Sequence, residues 1–352
     1  MNFFSGIMMS QDKVAVVILN WNGAKMLRDF LPSVVCYSQS MAQVVVADNG
    51  STDESAEVVA KEFPEVLWLP LDKNYGFAEG YNRALAQLET DYFVLLNSDV
   101  EVTEGWLSPL VDYMESHPGI AACQPKLMSW YHRKQFEYAG GAGGFIDYLG
   151  YPFCRGRVMG CVEDDRGQYD QVCSLFWATG AALMIRRADW ISSGGLDGGF
   201  FAHMEEIDLC WRLRARGRGI VCVPSSRVYH LGAATLKREN PRKTYLNFRN
   251  NLLMIYKNAS DTDLHKVLRW RWILDNVAAL KFLLTGDLKN ACAVVKARRD
   301  FHKLVPQYQQ KRAENLAKTS LSTIPECMTK SLLLAYYLKG KRTFSALYAS
   351  EK

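Results

Sequence analysis

The sequence predicts an α/β fold with a mostly parallel central sheet, helices on both faces and a basic helical extension at its C-terminal end. Short apolar runs of strand length alternate with amphipathic stretches from residue 13 onward, a pattern typical of parallel sheets with crossover helices. The 352 residues are 49% hydrophobic and 22% charged, as in globular proteins, and no run approaches the ~18 apolar residues of a membrane-spanning helix.

The first half of the chain repeats a unit of strand, turn and helix. Strands are predicted at residues 13–20, 43–48, 66–69 and in YFVLLNSDV, with helices after the first two at 24–37 and 54–63 and a third, after a turn at 74–76, that carries Asn82 and Arg83. A further helix at 106–116 and a short strand at 119–123 follow. The segment YFVLLNSDV, residues 92–100, is central because its buried strand ends at a carboxylate, Asp99.

Polar residues follow three of these strands. They are Asn20 and Asn22, then Asp48 and Asn49, then Asn97, Ser98 and Asp99. Ends of parallel strands meet at one edge of a doubly wound sheet, where such folds bind ligands, so these side chains are predicted to line one crevice. The alternative is that each group only forms a turn. Because polar residues follow three strands in succession, a shared crevice is the simpler interpretation.

The regular pattern fails between residues 124 and 172, which are rich in glycine and aromatic residues. We interpret residues 124–175 as a substrate lobe, because long segments of this kind inside a domain are usually functional. A glycine-rich phosphate cradle is less favoured because no strand and helix flank it. Residues 176–186 then resume as a strand whose Gly180 indicates a close approach of a ligand or of backbone, with core packing equally compatible.

The segment FFAHMEEIDLCWRLRARG, residues 200–217, predicts a loop entering a helix with Glu205 and Glu206 in its first turn. The helix dipole alone would favour carboxylates there, so structural and functional interpretations are balanced. Arg212 and Arg214 are expected to face solvent. Short strands are predicted at 220–223 and 227–230, the second ending at His230, which in isolation is more often structural than a ligand.

The C-terminal part is electrostatically distinct. Residues 240–352 carry 21 Lys and Arg against 8 Asp and Glu, whereas residues 1–239 carry 21 against 29. Helices are predicted at 245–257, 263–284, 287–305 and 328–339, with Trp270 and Trp272 among basic residues, which is typical of membrane-surface elements. A solvated basic cap remains an alternative, and no nucleic-acid motif supports a nucleic-acid partner.

Three parts of the chain are predicted: a frayed N-terminus at 1–12, a catalytic domain at 13–240 and the basic helical extension at 241–352. The nine cysteines are scattered without a CxxC pair, which favours a reducing cytosol over a disulfide framework or a zinc site. The first nine residues lack the features of a signal peptide.

At this point the chain resembles the inverting glycosyltransferases of family 2 with the GT-A fold, especially the bacterial rhamnosyltransferase-like branch. The motifs that carry the resemblance are VVILNWNG, VVVADNGSTDES, DKNYGFAEGYNRAL, YFVLLNSDVEV, FWATGAALMIRR, FFAHMEEIDLCWRLRARG and VYHLGAAT, in the family's order over about residues 13–250. No GxGxxG follows the first strand, so hydride transfer on a dinucleotide is excluded.

The resemblance implies a site for a nucleoside-diphosphate sugar. Asp48 would contact the base or ribose, and a set of amides, turn residues and the Asp99 motif would surround the nucleotide: Asn20, Asn22, Asn49, Asn74, Gly76, Asn82, Asn97, Ser98 and Asp99. Asp99 matches the last aspartate of a DxD-type motif that holds Mg²⁺ or Mn²⁺, and His230 would complete the metal site. Asn97 stands where the family often has a first carboxylate.

The resemblance also assigns the catalytic base to Glu206, with Glu205 as second choice, and predicts that Asp208 orients the helix or an arginine. Sequence position suggests that the sugar or acceptor pocket includes Trp177, Thr179, Gly180, Phe201 and His203. The implied activity is transfer of a hexosyl or deoxyhexosyl unit, with rhamnosyl among the candidates, to a lipid-linked cell-surface glycan by a peripheral enzyme at the cytoplasmic face of the membrane. The alternative is a catalytically inactive GT-A subunit of a polysaccharide assembly complex.

Overall fold

A computed structural model describes residues 13–232 and 240–349 of the protein. The predicted frayed N-terminus, residues 1–12, lies outside the described residues. The strands are β1 Val14–Asn20, β2 Gln43–Asp48, β3 Leu67–Pro70, β4 Tyr92–Leu96, β5 Val100–Val102, β6 Ile120–Ser129, β7 Gly144–Asp147, β8 Pro152–Cys154, β9 Arg157–Val158, β10 Cys161–Val162, β11 Cys173–Ser174, β12 Ala182–Arg186, β13 Gly219–His230 and β14 Cys327–Met328. The α-helices are α1 Ala24–Ser38, α2 Ser55–Glu62, α3 Gly76–Leu85, α4 Ser108–Ser116, α5 Arg187–Ser193, α6 Glu205–Ala215, α7 Pro241–Asn258, α8 Asp261–Leu284, α9 Leu288–Ala317, α10 Leu332–Tyr337 and α11 Phe344–Tyr348.

The main sheet has the strand order β11-β13-β6-β12-β4-β1-β2-β3, with β5 paired to β13. β1 runs parallel to β2 and β4, and β2 runs parallel to β3, because each is followed by a helix that returns the chain across the sheet. β12 lies antiparallel between β4 and β6. The predicted α/β fold with a mostly parallel sheet is therefore confirmed, with an antiparallel strand in its middle.

The two faces of this sheet bury separate apolar layers. α1 and α4 pack on one face with a cluster that includes Leu27, Val46 and Leu110. α3 and α6 pack on the other face with a cluster that includes Tyr81 and Leu209. Alternate residues of each strand face opposite sides, so continuous apolar runs are needed to supply both layers.

The segment predicted to be an irregular lobe contributes four strands to a second, five-stranded sheet with the order β10-β9-β8-β7-β14, whose fifth strand, β14, comes from the C-terminal extension. Its strands have only two to four residues, which is too short to produce a readable hydrophobic period. Aromatic contacts hold it together, with the ring centroid of Phe145 5.9 Å from Phe153 and 4.8 Å from Phe344. The strand predicted to follow is also shorter than expected, since only residues 182–186 of 176–186 form β12.

The C-terminal extension packs into the same apolar cluster as the sheet. Phe301, Tyr308 and Leu332 are buried in that cluster, and β14 pairs in parallel with β7 of the small sheet. The backbone N–H of Leu332 donates to buried Asp147 at 2.9 Å. The helices α7 to α9 thus cover the side of α6 and the loop that precedes it.

The prediction that Arg212 and Arg214 face solvent was wrong, because the segment before α6 accepts the hydrogen bonds of Arg212 and the extension supplies the partner of Arg214. The Arg212 guanidinium donates to the carbonyls of Ser193 and Gly195 at 2.6 and 2.7 Å. Arg214 pairs with Glu326 from the extension. Sequence periodicity alone cannot show that a second layer will bury a basic face.

Candidate active site

The ends of β1 and β2 form a hydrogen-bonded polar edge. The Asn20 amide donates to Asp48 Oδ1 at 3.0 Å, and the Ser51 backbone N–H donates to Asp48 Oδ2 at 3.0 Å. Asn22 has a left-handed backbone with φ 50°, and its Oδ1 accepts from the Thr52 N–H at 2.7 Å. Asn20, Asn22 and Asp48 are therefore brought together at the carboxyl edge of the sheet, where ligands bind in open α/β folds.

The start of α3 closes this edge. The Asn49 amide donates to the Gly76 carbonyl at 3.0 Å and to Asn74 Oδ1 at 3.2 Å, and Asn49 Oδ1 accepts from the Tyr75 N–H. Gly76 has φ 78°, and a Cβ there would lie 2.5 Å from the Phe201 ring. The glycine thus permits both a left-handed turn and contact with the loop before α6.

Asn82 occupies a different place from the one predicted. Its amide donates to the Leu196 carbonyl at 2.8 Å and its Oδ1 accepts from the Leu196 N–H at 2.9 Å. Both polar ends of the side chain therefore tie α3 to the segment that leads to α6. Its assignment to the nucleotide pocket is corrected to a positioning role.

Asp99 lies in a buried polar cluster at the end of β4. His230 Nε2 lies 3.1 Å from Asp99 Oδ1, and His230 Nδ1 lies 3.4 Å from Glu137 Oε1. Burial opposes a charge on His230, but the Glu137 and Asp99 carboxylates outweigh burial and raise its pKa to about 10. Burial likewise opposes ionisation of Asp99, yet the bond from His230 keeps the pKa of Asp99 below its ordinary value.

The donor atoms around Asp99 fit a divalent cation only in part. Asp99 Oδ1 and His230 Nε2 converge, and the Asn97 amide nitrogen lies 3.4 Å from the same His230 atom. Within residues 13–232 and 240–349, no group of three or more His, Cys, Asp or Glu side chains could hold a metal ion. A cation here would need oxygen ligands from a bound diphosphate, as Mg²⁺ sites on nucleotides commonly do.

The two glutamates of the acidic pair begin α6 after a strained loop. Phe201, His203 and Met204 have φ values of 66°, 71° and 73°, which non-glycine residues rarely adopt. Strain of this kind persists only where surrounding structure enforces it, and it concentrates at functional sites. The loop therefore places Glu205 and Glu206 in a position that an ordinary helix start would not give.

The carboxyl groups of this pair are buried and incompletely bonded. Glu205 Oε2 and Glu206 Oε2 are inaccessible to solvent and lack a hydrogen-bond partner among the described residues. Burial raises the pKa of Glu206 to about 7, and burial with the neighbouring carboxylate raises the pKa of Glu205 well above its ordinary value. A carboxyl group with a pKa near neutrality suits proton transfer at physiological pH.

The predicted sugar or acceptor pocket is only partly assembled. A Cβ on Gly180 would lie 3.7 Å from the Glu206 Cβ, so Gly180 does border the acidic pair. Trp177 and Thr179 are each 3% exposed, and the Trp177 indole donates to the Phe145 carbonyl at 2.9 Å. These two are core residues rather than pocket walls, because glycines 140 and 144 let them pack inward. Phe201 and His203 belong to the strained loop, and burial lowers the pKa of His203 to about 4.

Sequence reasoning missed a residue on α7 that holds the strained loop. The fully buried Asn250 amide lies 3.0, 2.8 and 2.7 Å from the carbonyls of Phe200, Ala202 and His203. Its Oδ1 accepts from the adjacent Arg249, which also donates to the Phe200 carbonyl. A lone asparagine in a helix carries no recognisable pattern, so only the three-dimensional contact identifies it.

A buried ionic cluster joins α6 to α7, α9 and the segment before α6. Asp208 accepts from Arg212 Nε at 3.0 Å and from Lys257 Nζ at 2.8 Å. Lys257 also lies 2.6 Å from Asp197, which Lys311 of α9 approaches at 2.8 Å. The prediction that Asp208 orients an arginine is confirmed, whereas the partners from α7 and α9 could not be read from sequence.

Comparisons with known proteins agree with this geometry. Residues 15–140 match the family model Glycosyl transferase family 2. The chain is 28% identical over 243 residues to an N-acetylglucosaminyl-diphospho-decaprenol L-rhamnosyltransferase of Mycobacterium tuberculosis, covering 65% of this chain and 79% of the relative. These matches confirm the resemblance to family 2.

Solved structures share the fold. Staphylococcus aureus TarS residues 1–349, in complex with UDP-GlcNAc, superposes with a TM-score of 0.55 at 16% identity, covering 87% of this chain and 89% of that one. GalNAc-T7 with UDP, GalNAc and Mn²⁺ gives a TM-score of 0.57 at 16% identity, covering 90% and 59%. The solved structures therefore show that the chain has the GT-A fold, and the matches to the family model and to the rhamnosyltransferase identify it as a glycosyltransferase similar to those of family 2.

Proposed function

We propose that the protein transfers a hexosyl or deoxyhexosyl unit, with inversion at the anomeric carbon, from a nucleoside diphosphate to a lipid-linked cell-surface glycan. The observation that carries the proposal is Glu206: a buried carboxyl group with an unpartnered oxygen and a pKa raised to about 7, bordering Gly180 at the sheet edge. The relative named a rhamnosyltransferase supports rhamnose as the transferred sugar.

The donor would lie along the polar edge of the sheet. Asp48 would accept hydrogen bonds from the base or ribose, and Asp99 with His230 would face the diphosphate. Asp99 and His230 are the residues that would hold Mg²⁺ or Mn²⁺ together with donor phosphate oxygens, and the Mn²⁺ bound with UDP in the GalNAc-T7 structure supports this choice. The cation would supply charge stabilisation for the leaving diphosphate.

The proposed chemistry is a single displacement. The acceptor hydroxyl oxygen attacks the anomeric carbon while the bond from that carbon to the diphosphate oxygen breaks, and Glu206 takes the hydroxyl proton. The electron pair of the broken bond stays on the departing nucleoside diphosphate. Glu205 is more deeply buried than Glu206 and would remain protonated. The two carboxyl groups would then carry a total charge of minus one before Glu206 takes the proton.

The acceptor would reach the site from a membrane surface. Trp270, Ile273, Val277, Leu280 and Leu284 form one stripe of α8 at helical spacing, and their exposed fractions range from 40% to 80%. Lys281 lies 5.9 Å from the ring of exposed Tyr337, which extends the stripe onto α10. An exposed apolar face of this extent with flanking lysines suits a peripheral contact with the cytoplasmic leaflet.

In the part of the chain that the structure covers, no helix combines the length and apolarity needed to cross a bilayer. Peripheral attachment through α8 is consistent with that finding and remains a proposal.

Transfer assays with a panel of nucleoside-diphosphate sugars and a polyprenyl-diphosphate-linked acceptor test the proposed function. We expect one donor to give a glycosylated lipid of inverted anomeric configuration, read by NMR of the product. Absence of both transfer and donor hydrolysis with every nucleotide sugar, in protein shown to be folded, would contradict it and would favour an inactive subunit.

A further inference from the structure

A cleft of about 620 Å³ lies between α7 and α9, outside the polar edge described above. Its floor is mostly apolar and includes Tyr245, Leu246 and Ala293, and Phe201 stands at one end. The volume lies within the ~300–1,000 Å³ typical of ligand sites. No part of the donor chemistry proposed above uses this cleft.

Four cationic side chains line the cleft: Arg242, Arg249, Lys289 and Lys296. Its described lining contains no carboxylate, and none of the four forms an ion pair with Asp or Glu within the part of the chain described here. Arg242 lies over the Phe201 ring at 4.9 Å and Lys296 over the Tyr245 ring at 5.1 Å. Positive charges around one concavity repel each other, and an anion between them would relieve that repulsion.

One end of the cleft adjoins the proposed reaction centre. The Phe201 carbonyl accepts from the Phe77 N–H at 2.8 Å, and the Phe201 ring packs against Gly76. Phe201 also begins the strained loop that ends at Glu206. A ligand in the cleft would therefore extend past Phe201 toward the catalytic carboxylate.

The other end of the cleft adjoins the tip of the α8–α9 hairpin. Lys289 follows Leu288, which is 63% exposed, and Leu284 on the other side of the turn is 80% exposed. An apolar chain leaving the cleft at Lys289 would meet these leucines, which continue the exposed stripe of α8. The cleft thus joins a membrane-facing apolar end to an end at the reaction centre.

We infer that this cleft binds the diphosphate of a polyprenyl-diphosphate-linked acceptor, with the lipid directed to the hairpin tip and the acceptor sugar toward Glu206. This inference rests on the proposed function. Guanidinium and ammonium groups are the side chains that bind phosphate oxygens most strongly, through charge-assisted hydrogen bonds. The donor diphosphate, by contrast, would lie at Asp99 and His230.

Cys292 provides a direct readout because it is exposed and lines the cleft, while exposed Cys36 lies on α1 and serves as an internal control. The rate of N-ethylmaleimide labelling at each cysteine is measured by peptide mass spectrometry with and without farnesyl diphosphate. At a probe concentration ten times its Kd, labelling of Cys292 should slow about tenfold while that of Cys36 is unchanged. Equal protection by UDP or dTDP would overturn the inference, because the cleft would then be a general nucleotide site.

Charge-matched variants on α9 localise the effect. Lys289→Ala with Lys296→Ala removes two cleft cations, and Arg299→Ala with Lys303→Ala removes two exposed cations of the same helix outside the cleft lining. The first pair should weaken farnesyl diphosphate protection of Cys292 by about tenfold, because two charge-assisted contacts are lost. The second pair should retain it, and an equal loss in both would overturn the inference.

Transfer to the lipid-linked acceptor, measured on the same samples, separates this site from the proposed function. Farnesyl diphosphate could protect Cys292 in a wild-type protein that transfers no sugar. That result would support the proposed binding site in the cleft and contradict the proposed glycosyl transfer. Sugar transfer without any protection of Cys292 would support the proposed glycosyl transfer and overturn the proposed binding site in the cleft.

Discussion

The loop before the acidic pair should lose its geometry when Asn250 is replaced. Asn250→Ala removes the amide that lies within 3.0 Å of three carbonyls, those of Phe200, Ala202 and His203. An amide has two hydrogens, so these bonds are shared, and we count the loss as one to two buried carbonyls left unpaired at ~1–3 kcal/mol each. We therefore expect the free energy of unfolding to fall by about 2–4 kcal/mol.

The effect on activity follows from strain in the same loop. Each left-handed non-glycine residue stores ~1–3 kcal/mol, so a loop released from Asn250 should relax and displace Glu206. A displacement of about 1 Å at a reacting group can reduce the rate by ~10²-fold. We expect kcat to fall by about that factor while donor affinity is unchanged, because the donor contacts lie at the strand ends.

The assays are urea unfolding, steady-state transfer and donor titration by calorimetry. Ser38→Ala is the control, since buried Ser38 bonds the Trp106 indole at 3.1 Å on the opposite face of the sheet, and its loss should cost ~1–2 kcal/mol without changing kcat. Asn250→Asp, which keeps the shape and the acceptor for Arg249, should lose at least as much activity as the alanine variant. A stability loss for Asn250→Ala with kcat within twofold of wild type would refute the reasoning.

Three further predictions concern the base, the metal and the membrane. Glu206→Gln should lower kcat by ~10²–10⁴-fold with donor affinity unchanged, and wild-type kcat/KM should rise as pH increases through about 7, where Glu206 loses its proton; wild-type turnover by the variant would disprove its role. Because the folded-state pKa of Glu206 is raised above the unfolded value, its contribution to stability should decline between pH 4.5 and 7, and unfolding curves of Glu206→Gln should lack that decline. Asp99→Asn should weaken metal-dependent donor binding in calorimetry, and identical affinity with and without a chelator would argue against a metal there. Leu280→Asp with Leu284→Asp should reduce sedimentation with anionic vesicles by about tenfold or more, whereas Ile191→Asp, at an exposed position on α5, should not; equal loss in both would exclude the α8 stripe as the contact.

The sheet edge could be predicted from sequence because its determinants are local. An apolar run followed by a polar residue fixes both the strand and the place where it ends, as at Asn20, Asp48 and Asp99. The acidic pair could also be located, because two adjacent glutamates at a helix start are visible in one dimension.

The rest depends on contacts between distant segments. The small sheet escaped prediction because strands of two to four residues have no period. Arg214 is buried against Glu326, which lies 112 residues later in the chain. Trp177 was predicted to line the sugar or acceptor pocket from its sequence position, but Gly144 has no side chain and leaves room for the indole to pack inward. Glu137 and Asn250 lie in segments whose sequence gives no sign of their partners.

The pairing of β7 with β14 also sets an order of events during synthesis. Ile146 and Asp147 pair with Cys327 and Met328, which the ribosome adds 181 residues later. At about 5–20 residues per second, this delay lasts ~10–40 s. The edge of β7 is unpaired during that interval, and an unpaired edge is a site where strands of other chains can add. A nascent chain of this protein therefore presents an unpaired strand edge after residues 13–147 have been made, and a chaperone that covers β7 would act in that period.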